Sequence, residues 1–260
     1  NDTIAFLVVK DDVVIYERYF QGHGPSSLSQ IFSVSKSFTS ALVGAAIADG
    51  LIEGIDQPIT DFIPELADRG FDAVTFHHLL TMMSGSSYQE NDNPSGEHLI
   101  LNYTPQLERE SLDFTMETTP GTVFRYKSGD NALLGLALSR ALEPETLTAY
   151  AERRIWQPMG AQDGAIWSVD REDGGLERTW CCLAVTARDL AKFGRLYLNE
   201  GSWDGDEVLP AAWVRISTQH GHVPESAWPA DYRAIGWRNY GYQWWLASET
   251  RGDYFGLGKD

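Results

Sequence analysis

Hydrophobic positions in residues 4–20 form two β-branched and aromatic runs, IAFLVVK and VVIYERYF, on either side of Asp11-Asp12. That pattern predicts a β-hairpin, Ile4–Phe20, closed by a tight acidic turn. Gln21 to Ser29 is rich in Gly, Pro and Ser and reads as a loop. From Ser33 to Leu51, Phe38, Ala41, Leu42, Ala45, Ala46 and Ala48 recur at helical spacing. Past its first turn this segment is apolar nearly all round, so it predicts a buried helix, punctuated by Gly50. The texture from Glu53 to Ile166 is helical and loop-rich, with helices predicted over Ile59–Leu66, Thr75–Met83, Pro105–Met116, Asn131–Leu142 and Glu145–Trp156. Asp130 is placed to cap the fourth of these. Further helices are predicted at Thr186–Leu198 and Pro210–Ser217, and strands at Tyr240–Ala247 and Asp253–Gly256. Strands at both ends with helices between them imply one sheet built from the two termini and an inserted helical lobe. The predicted fold class is α/β or α+β: a single catalytic domain over 1–260, with an α/β lobe from 1–50 and 175–260 and a helical lobe from 51–174.

Composition narrows the function classes. The chain has 260 residues, enough for a substantial core. The formal charge of −17 would repel a phosphate backbone and an anionic bilayer surface, so neither nucleic acid nor membrane is an expected partner. No apolar run is long enough to span a bilayer. The two cysteines, Cys181 and Cys182, are adjacent and cannot staple a chain this size. Reduced core thiols are the expectation for them, with a strained vicinal disulfide as the alternative. His77-His78 and His220-Gly221-His222 lack the three converging ligands a metal site needs, and no Walker, Rossmann or nucleophile-elbow glycine pattern occurs. No metal or cofactor is therefore expected.

The candidate chemistry lies at the head of the buried helix, in Ser33-Val34-Ser35-Lys36. Residues three apart share a helix face, so Ser33 Oγ and Lys36 Nζ can meet. Burial and the positive end of the helix both disfavour an ammonium there, and a lysine of lowered pKa can activate a serine as its base. The helix start also offers the Ser33 N–H to an oxyanion. The same four residues also arise by composition alone, and the buried setting is what favours a function, since lysine is depleted in cores. A second segment, Tyr126-Lys127-Ser128-Gly129-Asp130-Asn131, sits in a turn before a helix. Tyr126 there is a proton-shuttling phenol or a packed ring, and Ser128 a partner for the lysine or a turn residue.

Together these blocks carry a resemblance. FSVSKSFTSALVGAAIADGLI at Phe32–Ile52, HLLTMMSG at His78–Gly85, FRYKSGDNALLG at Phe124–Gly135 and AVTARDLAKFGRLYLNEG at Ala184–Gly201 are similar to the serine β-lactamase-like family. That superfamily holds class C β-lactamases, penicillin-binding carboxypeptidases, family VIII-type esterases and 6-aminohexanoate-dimer hydrolases, and the block order most resembles the last. The resemblance implies an antiparallel sheet flanked by helices plus a helical lobe, with the site between them. It implies Ser33 as the acylated nucleophile, Lys36 as its base, Tyr126 as the second proton carrier and Ser128 as the brace of the lysine. The family's third box, a strand triplet ending in Gly, falls at Gly258-Lys259-Asp260. This leads to the expectation that the natural chain is cut at both ends and continues past Asp260, with the second oxyanion donor in the continuation.

The implied activity is hydrolysis of a small amide or ester: a β-lactam, a D-amino peptide, a short ester or an aminohexanoate-type amide. The alternative is a penicillin-binding or sensor-type homologue that acylates and turns over slowly or not at all. Tyr88, in the loop after Met83-Ser84-Gly85, and Trp180 are expected to line the substrate cleft beside Ser128 and Gly258. The acidic loop Glu90–Glu97 reads as solvated surface. Trp228, Trp237, Trp244 and Trp245 read mostly as packing. The expected partner is a small-molecule substrate. Related enzymes are often dimers, which leaves a homodimer open, and the compartment, cytoplasmic or periplasmic, is not legible.

Overall fold

The computed structural model describes residues 2–91, 93, 96–234, 239–247 and 252–259. The hairpin forms as the pattern predicts. Strand β1 (Ala5–Lys10) pairs antiparallel with β2 (Val13–Tyr19), from Ala5 opposite Tyr19 to Lys10 opposite Val13. Asp11 and Asp12 both take positive φ, 49° and 61°. This is the left-handed pair a two-residue turn needs to match strand twist, and Asp tolerates it better than most residues. Strand β3 (Ser29–Gln30) then leads through a 3₁₀ turn, Phe32–Val34, into helix α1 (Ser35–Ala48).

Helix α1 is buried from Ser35 to Ala46 because neighbours cover it on more than one side. Helix α5 (Ser128–Leu142) packs along it, as does α8 (Ala211–Ser217). Phe38 stacks on Phe193 of α7 (Ala187–Leu198), with ring centroids 3.7 Å apart. Gly44 is where Trp213 crosses the helix. A Cβ there would lie 2.3 Å from the indole Cγ, so only glycine permits the approach. Small residues in α1 thus exchange side-chain volume for close helix packing.

Between α1 and α5 the chain runs through 3₁₀ turns at Ile59–Asp61 and Pro64–Arg69, then α2 (Phe76–Leu80), α3 (Glu97–Tyr103) and α4 (Leu107–Leu112). The helix predicted over Pro105–Met116 is shorter, and α3, which precedes it, was not predicted. Asp130 does not cap α5. The helix begins at Ser128 after Lys127, and the Asp130 carboxylate turns into the core instead. There it accepts from Ser84 Oγ at 2.6 Å, Ser86 Oγ at 3.1 Å and Ser84 N at 3.4 Å. The polar SGS turn needs a buried acceptor, and that demand outweighs the local capping preference. Helix α6 (Leu147–Ala151) passes into a π-helical turn, Glu152–Trp156.

Strand β4 (Ile166–Trp167), inside the 51–174 range, pairs with β5 (Leu183–Val185), which pairs with β3; both ladders are antiparallel. Beyond α7 lies a small hairpin, β6 (Ser202–Trp203) with β7 (Asp206–Glu207), then α8 and the short α9 (Ala230–Ala234). The strand predicted over Tyr240–Ala247 reduces to β8 (Trp245–Leu246), because Gln243 takes φ 63° and turns the chain. Its side-chain amide donates to the carbonyls of Leu79 and Leu80, both at 3.1 Å. Strand β9 (Tyr254–Phe255) pairs antiparallel with β8.

Trp228, Trp244 and Trp245 are buried core rings, and Trp237 lies outside the described residues. Cys181 and Cys182 are joined in a vicinal disulfide, not left as reduced thiols; Cys182 at φ 69° turns the chain between them. No helix among the described residues is long and apolar enough to cross a membrane.

Candidate active site

The turn into α1 presents Ser33 and hides Lys36. Phe32 takes φ 46°, a left-handed conformation rare for an aromatic residue, and swings the chain so that Ser33 starts the helical spiral half exposed. Three residues on, Lys36 is 1% exposed. Its Nζ stands 2.9 Å from Ser33 Oγ, 3.3 Å from Ser128 Oγ and 2.8 Å from the Trp180 carbonyl oxygen. Tyr126 covers the ammonium with its ring, the centroid 4.9 Å from Nζ, and is itself stacked on Trp245 at 5.7 Å. Sequence positions 33, 36, 126 and 128 therefore meet in one place.

Burial dominates the electrostatics. Desolvation lowers the Lys36 pKa from 10.5 to about 8, with the negative charge of Glu90 pulling it back up. Burial pushes the Tyr126 phenol up, opposed by its hydrogen bond with Ser33. The arrangement holds an amine that gives up its proton readily beside a hydroxyl, and a phenol that keeps its proton.

The other predicted residues divide. Gly258 runs past the Ser33 turn: a Cβ there would lie 2.6 Å from Ile31 O and 3.4 Å from Ser33 N, so glycine is required for this approach. Asp260 lies outside the described residues. Trp180 lines the cavity but is 1% exposed, and its carbonyl, not its ring, reaches the lysine. Tyr88 does not cap the cleft. It is 1% exposed, edge-on to Phe114 at 5.3 Å, with its hydroxyl 2.9 Å from His98 Nδ1. Its ring sits where a Cβ on Gly129 would fall, which draws it beneath the start of α5.

The acidic loop is not simply solvated surface. Glu90 reaches the first turn of α5, where Oε1 accepts from Ser128 Oγ at 2.7 Å and Oε2 from Ser128 N at 2.6 Å. His98 Nδ1 lies 3.4 Å from Glu90 Oε1, and Asn102 of α3 links His98 to Trp180. Nothing in the local pattern of SSYQENDN singles out Glu90, because its partner is 38 positions away. A cavity of about 870 Å³ opens over Ser33, lined also by Phe32, Tyr126, Tyr232, Trp245 and Leu257. This volume suits a small organic molecule. Among the described residues no group of three His, Cys, Asp or Glu side chains is arranged to hold a metal ion.

A Ser-x-x-Lys pair heading a buried helix, a tyrosine across it and antiparallel strands beside it define a β-lactamase-like serine hydrolase. The model of the beta-lactamase family matches residues 2–258, and the chain belongs to that family. The 6-aminohexanoate-dimer hydrolase of Paenarthrobacter ureafaciens is 29% identical over 98% of this chain and 67% of its own length. Esterase EstB of Burkholderia gladioli is 26% identical over 56% of this chain; the match covers 40% of EstB. The chain thus spans about two thirds of the first relative's length. A solved Bacillus anthracis structure assigned as a 6-aminohexanoate-dimer hydrolase superposes with a TM-score of 0.82 at 23% identity, over 98% of this chain and 68% of that one. The octameric penicillin-binding protein homologue from Pyrococcus abyssi superposes at 0.71 and 19% identity, over 96% and 62%. These likenesses establish the mixed α/β architecture that the sequence blocks imply.

Proposed function

We propose that the protein hydrolyses a small amide or ester through a Ser33 acyl-enzyme. Ser33 Oγ attacks the substrate carbonyl as its proton passes to Lys36 Nζ, forming the new C–O bond and a tetrahedral oxyanion. Collapse breaks the bond to the leaving group, which takes a proton from Tyr126, and the phenol recovers one from Lys36. Water then attacks the acyl-enzyme by the same route in reverse, releasing the acid and Ser33. The observation that carries this reading is Lys36 Nζ, wholly buried and 2.9 Å from Ser33 Oγ. Gly258, packed against the Ile31 carbonyl, lets its segment pass close to the Ser33 backbone.

The cavity and the relatives support a choice of substrates to test. Its apolar wall of Phe32, Trp245 and Leu257 suits an alkyl or aromatic acyl group. The relative named as a 6-aminohexanoate-dimer hydrolase matches nearly the whole chain, and the named esterase matches about half. An aminohexanoate-type amide is thus the first substrate to try, and a short-chain ester the second. The test is a panel of aminohexanoate dimer, p-nitrophenyl butyrate, a D-amino peptide and a fluorescent penicillin, run with wild type and Ser33→Ala. Turnover lost in the variant supports the reading. Turnover unchanged in the variant removes Ser33 from the mechanism, and a stable acyl adduct without turnover moves the protein to the penicillin-binding type.

A further inference from the structure

The hydrogen bonds around Lys36 have a direction that Glu90 decides. A neutral lysine amine has two N–H bonds and one lone pair, and Lys36 Nζ faces three partners: Trp180 O, Ser128 Oγ and Ser33 Oγ. The carbonyl can only accept. Ser128 is ambiguous, since a hydroxyl donates or accepts as its proton rotates. Glu90 removes the ambiguity. Its two oxygens accept from the Ser128 hydroxyl at 2.7 Å and from the Ser128 N–H, at the open start of α5, at 2.6 Å. With its proton held by Glu90, Ser128 Oγ can meet Lys36 only as an acceptor. Both N–H bonds of the neutral amine are then committed to Trp180 and Ser128, and the lone pair is left facing the Ser33 hydroxyl.

We infer that Glu90 is a positioning residue that acts through Ser128 to aim the Lys36 lone pair at Ser33. This rests on the Ser33–Lys36 reading above. Without the carboxylate, the Ser128 hydroxyl turns its proton onto the lone pair and competes with Ser33 for it. Glutamine in place of Glu90 forces that outcome. Its carbonyl oxygen is needed by the Ser128 N–H, so its NH₂ falls opposite Ser128 Oγ and drives the hydroxyl proton toward Lys36. The titratable groups facing this cluster are Tyr126 over Lys36, and His98, Tyr88 and Tyr232 around Glu90; Lys259 lines the same cavity.

The experiment compares wild type, Glu90→Gln, Glu90→Asp, Ser128→Ala and the Glu90→Gln/Ser128→Ala pair. Single-turnover acylation by p-nitrophenyl butyrate is followed across pH, and the Lys36 Cε resonance of isotope-labelled protein is titrated without substrate. Glu90→Gln is expected to slow acylation about tenfold to a hundredfold, the scale of one charge-assisted hydrogen bond. Because the negative Glu90 favours the ammonium, its removal moves the acid limb and the Lys36 titration to lower pH. Glu90→Asp keeps the charge and leaves both in place. In the Ser128→Ala background Glu90→Gln costs little further rate, since both act on one hydrogen bond. A purely structural Glu90 would lower the rate equally at every pH with the Lys36 titration unmoved. That result, or additive losses in the pair, overturns the inference. If wild type shows no Ser33-dependent acylation while the Lys36 titration still follows Glu90, the hydrolase reading fails and the hydrogen-bond arrangement stands.

Discussion

Replacing Lys36 by Met should remove activity and, at the same time, change how stability depends on pH. Lys36 is 1% exposed and its pKa is lowered from 10.5 to about 8, chiefly by desolvation. Between these two values the unfolded chain holds a proton that the folded chain has released, so stability rises with pH across that window. Below about pH 8 the full cost of burying the ammonium is present, about 3 kcal/mol. It fades as pH approaches 10.5. Met keeps the length of the side chain and does not titrate. It also forfeits hydrogen bonds to Ser33, Ser128 and Trp180, each worth about 1 kcal/mol, and this loss is independent of pH. The absolute ranking at one pH is therefore a balance of similar terms, whereas the change between two pH values isolates the buried charge. The stability of Lys36→Met relative to wild type should fall by about 2 kcal/mol from pH 7 to pH 9.5. Urea unfolding followed by tryptophan fluorescence at both pH values measures this, with equal slopes required for the comparison. If the two proteins keep the same difference at both pH values, Lys36 is not held with a depressed pKa and cannot serve as a ready base near neutrality.

Three further outcomes follow from the same geometry. For wild type, kcat/KM for ester cleavage should rise with pH and level off above about pH 8, as Lys36 loses its proton; a flat profile from pH 6 to 9 would count against Lys36 as the base. Tyr126→Phe keeps the ring packed on Trp245 and removes only the phenol proton, so kcat should fall on the order of 100- to 10,000-fold with the thermal midpoint little changed. Asp130→Ala strands the donors of Ser84 and Ser86 in the core and should lower unfolding free energy by about 3 kcal/mol, read by urea titration.

Local spacing carried the sequence reading a long way. Ser33 and Lys36 are three positions apart, Tyr126 and Ser128 two, and the hairpin turn, α1, α5 and α7 each repeat a period that one segment alone displays. Where a segment answered to a distant partner, the local pattern misled. Asp130 looks like a cap and is a core acceptor for a turn more than 40 positions earlier. Tyr88 looks like a loop aromatic at a cleft and is packed beneath α5. The strand expected over Tyr240–Ala247 is broken at Gln243, whose amide is needed 163 positions back at Leu80.

What the chain declares by itself is the set of reactive groups and the helix and hairpin that carry them, because those depend on neighbours within a turn or a pleat. The tertiary structure alone decides the state of those groups. Lys36 gives up its proton more readily than an ordinary lysine only because α5 and the Trp180 segment exclude water from it. Its hydrogen bonds acquire a direction only because Glu90, on a loop with no signature, and the Trp180 carbonyl, 144 positions away, arrive at the same point. Proton affinity and hydrogen-bond polarity are properties of an environment, and that environment exists only once the chain has closed around the serine.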